Sequence, residues 1–554
     1  MLIRKKPARA HALGEPILHE SHKRPVSRRD FISAGLLSAP AVVTAPVWVA
    51  ALLKARSARA ASIPLDADIQ ALLAASQCNV TMGAGKIPFI CFDLAGGANL
   101  VGSEVIVGVQ GGQANFLSTA GYGKLGLPGN MVPTSTAFVS SALGLLWHSD
   151  GAILRGILSK VSATTAAGTN GAVIPALSEN DTGINPHNPM YGIATVGAKG
   201  SLLTLTGTEP TVSGGNSAAP PNLGGVMIDP ALQPSTFDQP SDATGLVSTG
   251  GAKANPLSVA VLESQVRISG GTTTYTAGSS DPAAAFTGAL TEPNGGTPGV
   301  QLYTSSDPQQ AADDATLKNQ VRCNYVKSAN TAAVFGDPAA LDATKDSNII
   351  GGGTPIFSTS DFNDSDIAKT ATVMKLVLNG FAGAGTITLG GYDYHDSTRA
   401  TGEMRNFKAG QMIGAVLEYA QRIGKPVMIY VFSDGSLTSS SMIDSSTDGR
   451  GKLAWQGDSS AAAATFFLVY NPRGRPVPRN GAASQQIGYF SADGSVVSTS
   501  SPAANSVVQL VETVVLNYMG LHNGLEGQFG TLFPTQGLGS PGSQASLIAF
   551  EPIA

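Results

Sequence analysis

Short apolar runs alternate along this chain with segments of helical periodicity. The apolar and β-branched runs predict buried strands at 88–94, 386–389, 427–432 and 465–470. Apolar residues that recur every three or four positions predict helices at 307–334, 367–378, 406–422 and 506–519. Because strands that alternate with helices usually build a parallel sheet, this pattern favours an α/β fold over an all-β fold.

The pattern is weaker before residue 305. Residues 137–147 predict a helix, and residues 152–161 predict a strand. From 163 to 304 the chain is rich in Gly, Ser, Thr and Pro, with short strand-like pieces at 201–206 and 257–262. We therefore expect this region to be a long insertion or subdomain of loops and edge strands.

The amino-terminal segment carries an export signal. In Ser27-Arg28-Arg29-Asp30-Phe31-Ile32 a pair of arginines precedes an apolar run, as in signals read by the twin-arginine translocase. The run at 32–53 has 22 residues, enough for the roughly 20 of a membrane span, but Pro40 and Pro46 make it a poor helix. Small residues at 57–61 offer a cleavage site. We expect removal of residues 1–60 and a periplasmic, secreted or surface location; the alternative is a retained amino-terminal anchor.

Removal of the signal changes the charge and the length. Residues 1–60 hold 11 of the 34 Lys and Arg and 3 of the 38 Asp and Glu, so the remainder has a net charge of −12 rather than −4. An acidic protein is a poor binder of nucleic acid or of anionic membranes. The remaining length of about 490 residues exceeds the ~250–300 of one hydrophobic core. We therefore expect either one large α/β domain with long insertions, its core in two parts at 61–162 and 305–554, or two domains.

The composition agrees with a loop-rich exported protein. Charged residues make up 13% of the chain against a usual value of about 25%, and glycine is abundant at 66 residues. Cys78, Cys91 and Cys323 are too few for a disulfide framework, and we expect them to be small buried side chains.

Histidine is scarce outside the signal, and His395 is the first candidate for a functional site. It follows a predicted strand and has Asp393 and Asp396 beside it. Carboxylates and imidazoles on one strand-end loop are typical ligands of a divalent metal. The alternative is a polar turn whose aspartates accept bonds from backbone amides.

A second candidate is His187, which shares a loop with Asp181. Pro186 and Pro189 stiffen this loop and would hold its side chains at little entropic cost, as suits a site. An ordinary turn explains the pattern equally well. The two other histidines, His148 and His522, are expected to cap or pack.

Nucleotide binding has no support in the sequence. The glycine clusters at 96–97 and 351–353 lack both the lysine of a phosphate loop and the spacing of the dinucleotide fingerprint. We therefore expect no nucleotide cofactor.

Five segments are informative when they are taken in order: Leu94-Ala-Gly-Gly-Ala-Asn-Leu100, the His187 loop, Leu389-Gly-Gly-Tyr-Asp-Tyr-His395, Val431-Phe-Ser-Asp434 and Leu525-Glu-Gly-Gln-Phe-Gly-Thr-Leu-Phe-Pro534. Together they resemble twin-arginine-exported bacterial proteins of uncharacterised function in the alkaline phosphatase/sulfatase-like superfamily. The resemblance implies a three-layer sandwich around a mostly parallel sheet. It also implies divalent metal at the carboxyl edge of that sheet and hydrolysis of phosphate or sulfate esters.

The resemblance assigns roles to individual positions. Asp393, His395, Asp434 and Asp181 would ligate one divalent ion, namely zinc, calcium or magnesium, while His187 and Asn99 would lie at the catalytic positions. The chain departs from the family where Asn99 replaces an aspartate and Pro186 replaces a serine. A later Asp-His segment is also reduced to Trp455-Gln-Gly-Asp458, without its histidine. At most one full set of metal ligands remains.

Two functions therefore stay open. One is a metal-dependent exported ester hydrolase with a degenerate site, and the other is a non-catalytic periplasmic or surface protein that keeps the fold for binding or assembly. The sequence predicts the twin-arginine translocase as a partner during export and does not predict the oligomeric state.

Replacement of Arg28 and Arg29 by Lys is expected to hold the precursor in the cytoplasm, because the translocase receptor reads the arginine pair as an address. Cell fractionation measures the outcome, with Arg9→Lys, in the basic leader outside the pair, as the control. Undiminished export of the double variant would contradict the assigned route.

Overall fold

The computed structural model describes residues 85–177, 187–208, 222–228, 234–245, 338–351 and 353–554. Outside these ranges lie the predicted signal, the helix at 307–334, the strand-like piece at 257–262 and the residues Cys78, Asp181, Pro186 and Cys323. The strands, in chain order, are β1 Phe89–Gly96, β2 Val139–Ser140, β3 Trp147–His148, β4 Thr169–Pro175, β5 Leu203–Gly207, β6 Asn222–Leu223, β7 Val226–Met227, β8 Ser235–Thr236, β9 Ala382–Tyr392, β10 Val427–Phe432, β11 Leu437–Ile443, β12 Leu453–Asp458, β13 Ala464–Tyr470 and β14 Arg479–Ala482.

The helices alternate with these strands. In chain order they are α1 Thr119–Lys124, α2 Ala152–Leu158, α3 Ala163–Ala167, α4 Met190–Thr195, α5 Pro240–Gly245, α6 Ser347–Ile350, α7 Ser365–Leu378, α8 Ala400–Arg422, α9 Val507–Gly520, α10 Phe529–Leu532 and α11 Pro541–Ala545. Single 3-10 turns occupy Gly129–Met131, Pro338–Leu341, Ala343–Lys345, Thr359–Asn363, Ser460–Ala462, Ala483–Gln485, Pro502–Asn505 and Glu526–Gln528.

A seven-stranded sheet forms the centre of the molecule, in the order β4-β13-β10-β1-β9-β5-β8. β1 pairs in parallel with β10 on one side and with β9 on the other, and β5 and β8 continue the parallel arrangement. β13 is antiparallel to both of its neighbours, β10 and β4. The predicted α/β fold with a mostly parallel sheet is confirmed.

Both faces of the sheet are buried. Alternate residues of β1 point to opposite sides, so that Phe89 and Cys91 join one apolar core while Ile90, Phe92 and Leu94 join another. The second core contains residues of α2, α7 and α8, and the first contains residues of α4 and α9. A central strand buried on both faces needs an unbroken apolar run, which explains why the sequence predicts β1 and β10 so clearly.

Most of the predicted helices and strands are present, with shifted ends. Asp364 caps α7, where its side chain accepts a bond from the Asp366 N–H, and Ser506 caps α9. β9 is longer than the predicted strand. The prediction missed its first residues, Ala382 to Gly385, because they are small and give no apolar signal. Small residues are needed here because α7 packs closely on this part of the strand: a Cβ on Gly385 would lie 2.7 Å from the Val373 side chain.

Two predictions before residue 163 were wrong. Residues 137–147 are not a helix but contain the short antiparallel pair β2 and β3. Gly144, between them, has a φ of +79°, which a helix does not allow. Residues 152–161 contain helix α2 instead of a strand, because a short apolar run fits a buried helix as well as a strand. α2 packs closely on α8, where a Cβ on Gly156 would lie 2.1 Å from the Phe407 carbonyl oxygen.

Part of the predicted insertion belongs to the central sheet. Strands β4, β5 and β8 all lie between residues 163 and 304 and pair within the seven-stranded sheet. Residues 246–337 fall outside the described ranges, so the division into core and insertion stays a prediction there. Within the described ranges, no helix combines the length and the apolar character that a membrane crossing requires.

β1 ends in a contact that only glycine permits. Gly96 has a φ of +136°, and a Cβ at this position would lie 2.3 Å from the backbone nitrogen of Asp393, just beyond β9. Gly96 also donates its N–H to Asp434 Oδ1 at 3.0 Å, just beyond β10. The ends of three adjacent strands therefore meet at this glycine.

Gly96→Ala is expected to lower the free energy of unfolding by about 2–4 kcal/mol, because the added carbon meets rigid backbone and the φ is strained for an L residue. Gly390→Ala is the matched control, since a Cβ there has nothing within 4 Å. Urea denaturation measures both. A loss at Gly96 no larger than that at Gly390 would contradict the close approach.

Candidate metal site

The sheet topology brings two of the predicted site segments to the same edge. β9 and β10 flank β1 and run parallel to it, so the loops after them leave the sheet at one edge. Asp393 and His395 follow β9, and Asp434 follows β10. A third segment reaches this edge because β11 and β12 form an antiparallel ribbon in which Leu437 pairs with Asp458.

Asp393, His395 and Asp458 form a cluster of three possible metal ligands. His395 Nε2 lies 2.8 Å from Asp393 Oδ1 and 3.8 Å from Asp458 Oδ1, and one ligand atom from each residue lies within 4.8 Å of the others. The side chain of Asp393 is 61% exposed, that of His395 is 41% exposed and that of Asp458 is 57% exposed. The three residues face solvent at the rim of the sheet.

The spacing of these donor atoms fits one small cation. Ligands bonded at 2.0–2.1 Å in a tetrahedron lie about 3.3 Å from one another, which is between the two distances that His395 makes. Three protein ligands leave a position open for water or substrate. Two carboxylates and one imidazole form a mixed oxygen and nitrogen set that suits zinc better than calcium, which prefers oxygen alone.

Asp434 has a different place from the one predicted for a ligand. Its carboxylate is buried and accepts the Gly96 N–H, and it does not belong to the three-residue group. Asp458 occupies the third position instead. Asp396 fits the alternative of a polar turn, because its carboxylate accepts bonds from the Thr398 N–H and from the Thr398 and Thr401 hydroxyls.

The two residues predicted at catalytic positions are buried. The His187 ring stacks on Phe432, with ring centres 6.1 Å apart, and lies outside the three-residue group. Asn99 Nδ2 donates to Ser436 Oγ at 3.5 Å and to the Leu437 carbonyl at 3.4 Å, beneath the start of β11. Asp181 lies outside the described residues.

The part of the β1 loop nearest Asp458 carries no nucleophile. A Cβ on Gly97 would lie 3.9 Å from Asp458 Oδ1, but glycine offers no reactive side chain. The Ser433 hydroxyl donates to the Leu94 carbonyl and accepts the Ala98 N–H, and the Ser436 hydroxyl donates to the Ala462 carbonyl. Both hydroxyl protons are therefore held in hydrogen bonds to backbone carbonyls.

His148 and His522 are packing residues, as expected. His148 stacks on Phe138, and His522 Nε2 accepts the Ile87 N–H at 3.1 Å. Burial lowers the pKa of each to about 4, so both rings are neutral at physiological pH. Cys91 is also a buried side chain, with its thiol against Asn188 Oδ1.

A buried ionic network lies behind the cluster, at the start of α8. Glu403 accepts bonds from Arg399 Nε at 3.0 Å, from Lys452 Nζ at 2.7 Å and from Arg155 Nη2 at 2.6 Å. Burial, and then the nearby charge of Glu403, raise the pKa of Glu104 to about 7. The network fixes the segment after His395 against the ribbon that carries Asp458.

The sequence does contain a signal for Asp458. The resemblance sets Asp458 against the aspartate of an Asp-His segment, but no histidine stands beside it here, and the pairing of β11 with β12 is what brings Asp458 to the His395 loop. No protein-family model, curated protein or solved structure matches this chain.

The pH dependence of the stability of Glu104→Gln tests the buried ionic network. A carboxyl whose pKa is raised from 4.5 to about 7 ionises more easily in the unfolded chain, so it lowers stability as pH rises between these values. The stability of Glu104→Gln relative to the native protein should therefore increase from pH 5 to pH 8, by up to about 3 kcal/mol.

Glu418→Gln provides the control for this measurement. Burial opposes ionisation of Glu418, but bonds from Thr165 and Ser162 hold its pKa below the usual value, so its effect on stability lies below pH 5. Its stability relative to the native protein should be flat from pH 5 to pH 8. Chemical denaturation at several pH values measures both variants, and a flat profile for Glu104→Gln would show that this carboxyl does not titrate there.

Proposed function

We propose that this protein is an exported, metal-binding member of the alkaline phosphatase/sulfatase-like superfamily, with one divalent ion on Asp393, His395 and Asp458. The observation that carries the proposal is the convergence of these three donors from two separate segments at one edge of the sheet. When bound, such an ion supplies Lewis acidity toward a phosphate or sulfate ester and toward a bound water.

The architecture supports the superfamily assignment. A mostly parallel sheet with buried faces and a donor cluster at its carboxyl edge is what a three-layer sandwich of this kind requires. The donor set favours zinc among zinc, calcium and magnesium.

We expect water to be the nucleophile of any hydrolysis at this site. Gly97 has no reactive group, and the hydroxyls of Ser433 and Ser436 are held in bonds to the backbone. None of these three positions therefore supports a pathway through a covalent intermediate. With a single ion and no positioned nucleophile, we expect slow turnover.

The same observations favour a second candidate, a non-catalytic metal-binding protein of the periplasm or cell surface. Asn99 and His187 are buried, and the cluster lies exposed on the rim. An exposed ion with open positions can bind an acidic or imidazole group of another molecule without any reaction.

Metal content tests the proposed ion site. The protein lacking residues 1–60 should keep about one zinc per chain after dialysis, and His395→Ala and Asp458→Asn should each weaken zinc binding at least tenfold, because each removes a ligand. Asp448→Asn is the matched control, since Asp448 is also exposed and lies in the connection between β11 and β12. Calorimetry and elemental analysis measure the result. Equal zinc binding by all variants would contradict the site.

Turnover of aryl phosphate and sulfate esters separates the two candidates. A hydrolase should show weak activity that needs zinc and disappears in His395→Ala. A binding protein should keep its zinc and show no activity. Fast turnover that survives His395→Ala would place the chemistry at other residues and contradict both candidates.

A further inference from the structure

Buried tyrosines alternate with the exposed ligands of the β9 loop. Asp393 and His395 face solvent, whereas Tyr392 and Tyr394 are only 1% and 2% exposed. The loop therefore continues the strand alternation of one side chain outward and the next inward. The side chain between the two ligands points into the protein, where its contacts determine how the ligands are held.

The Tyr394 hydroxyl joins three segments of the chain. It donates to Asn406 Oδ1 on α8 at 3.0 Å and accepts the backbone N–H of Asn99, after β1, at 3.1 Å. Asn406 is fixed in turn, because its Nδ2 donates to Glu104 Oε1 at 3.0 Å. By donating one hydrogen bond and accepting another, the Tyr394 hydroxyl connects the β9 loop both to α8 and to the loop after β1.

The Tyr394 ring contacts the segment that carries the third ligand. Its centre lies 6.2 Å from that of Trp455, which precedes Asp458 by three positions on β12. The Arg399 guanidinium lies over the Trp455 ring, 4.4 Å from its centre, and the backbone N–H of Trp455 donates to the Thr398 carbonyl. Trp455 is therefore held from several directions against the loop of His395.

The rings of Tyr394 and Trp455 are packed tightly against the start of α8. A Cβ on Gly402 would lie 2.7 Å from Trp455 Nε1 and 2.9 Å from Tyr394 Cδ2. The glycine lets the two aromatic rings pack directly against the first turn of α8. The distance between the β9 loop and β12 is thus set by packed side chains.

We propose that Tyr394 is a positioning residue for the metal cluster, and that its hydroxyl and ring fix Asp393 and His395 relative to Asp458. This inference rests on the proposed ion site. Ligands held in place by the groups behind them bind a metal more tightly than mobile ligands, and loss of such a supporting group commonly costs 10–100-fold in affinity.

Tyr392 offers a matched control in the same loop. Its hydroxyl donates to the Arg405 carbonyl at 2.8 Å. Tyr392→Phe also removes one buried hydroxyl and one hydrogen bond to α8, but it leaves the bonds from Tyr394 to Asn99 and Asn406 unchanged.

The experiment compares zinc affinity, thermal stability and amide hydrogen exchange in the native protein, Tyr394→Phe and Tyr392→Phe. Tyr394→Phe should weaken zinc binding at least tenfold, and Tyr392→Phe less than threefold, at similar losses of thermal stability. The Asn99 amide should exchange faster in Tyr394→Phe alone, with or without zinc. Gly402→Ala keeps the hydroxyl but displaces the rings, and it should weaken zinc binding as well.

The outcomes separate this inference from the proposed function. Absence of zinc binding by the native protein overturns the ion site and the positioning role together. Zinc binding by the native protein with unchanged affinity in Tyr394→Phe overturns the positioning role alone. Affinity losses that simply follow the loss of stability in both tyrosine variants also overturn it.

Discussion

The parallel pairing of β1 between β9 and β10 is the constraint on which the rest of the structure depends. This pairing places the loops that follow three adjacent strands at one edge, and it is maintained by side chains buried on both faces of the sheet. At the end of β1, Gly96 touches the backbone after β9 and donates to the carboxylate after β10. The strand pairing and the contacts of Gly96 therefore determine where the site segments leave the sheet.

Charge at the site is arranged in two layers. The exposed layer holds two carboxylates and an imidazole. In the buried layer, Arg399 and Lys452 each form an ion pair with Glu403, and all three side chains are buried. Buried ion pairs contribute little net stability, but they require a defined geometry, which makes them suited to holding the start of α8 in place.

The sequence predicted the central strands well because β1, β10 and β13 are continuous apolar runs. It failed where the signal is ambiguous: the apolar run at 152–161 fits a helix as well as a strand, and the first half of β9 consists of small residues. At the site, Asp393 and His395 are neighbours in the sequence and could be paired by inspection. Asp458 could not, because its approach depends on a ribbon pairing, and Asp434 appeared equivalent although its carboxylate is buried against Gly96.

The antiparallel direction of β13 has a consequence for how such a site can change. After β10 the chain does not cross the sheet through a helix; it makes the β11–β12 ribbon and enters β13 from the same edge. The third donor of the proposed ion site therefore lies on an appendage that begins and ends beside the cluster and contributes no strand to the sheet. A change confined to the exposed end of β12 at Asp458 would exchange one ligand without altering any strand of the sheet, whereas Lys452 and Trp455 in the same segment contact the start of α8 and would have to stay. Metal preference can therefore evolve, or be engineered, at one end of the ribbon while the packing of its buried residues is kept.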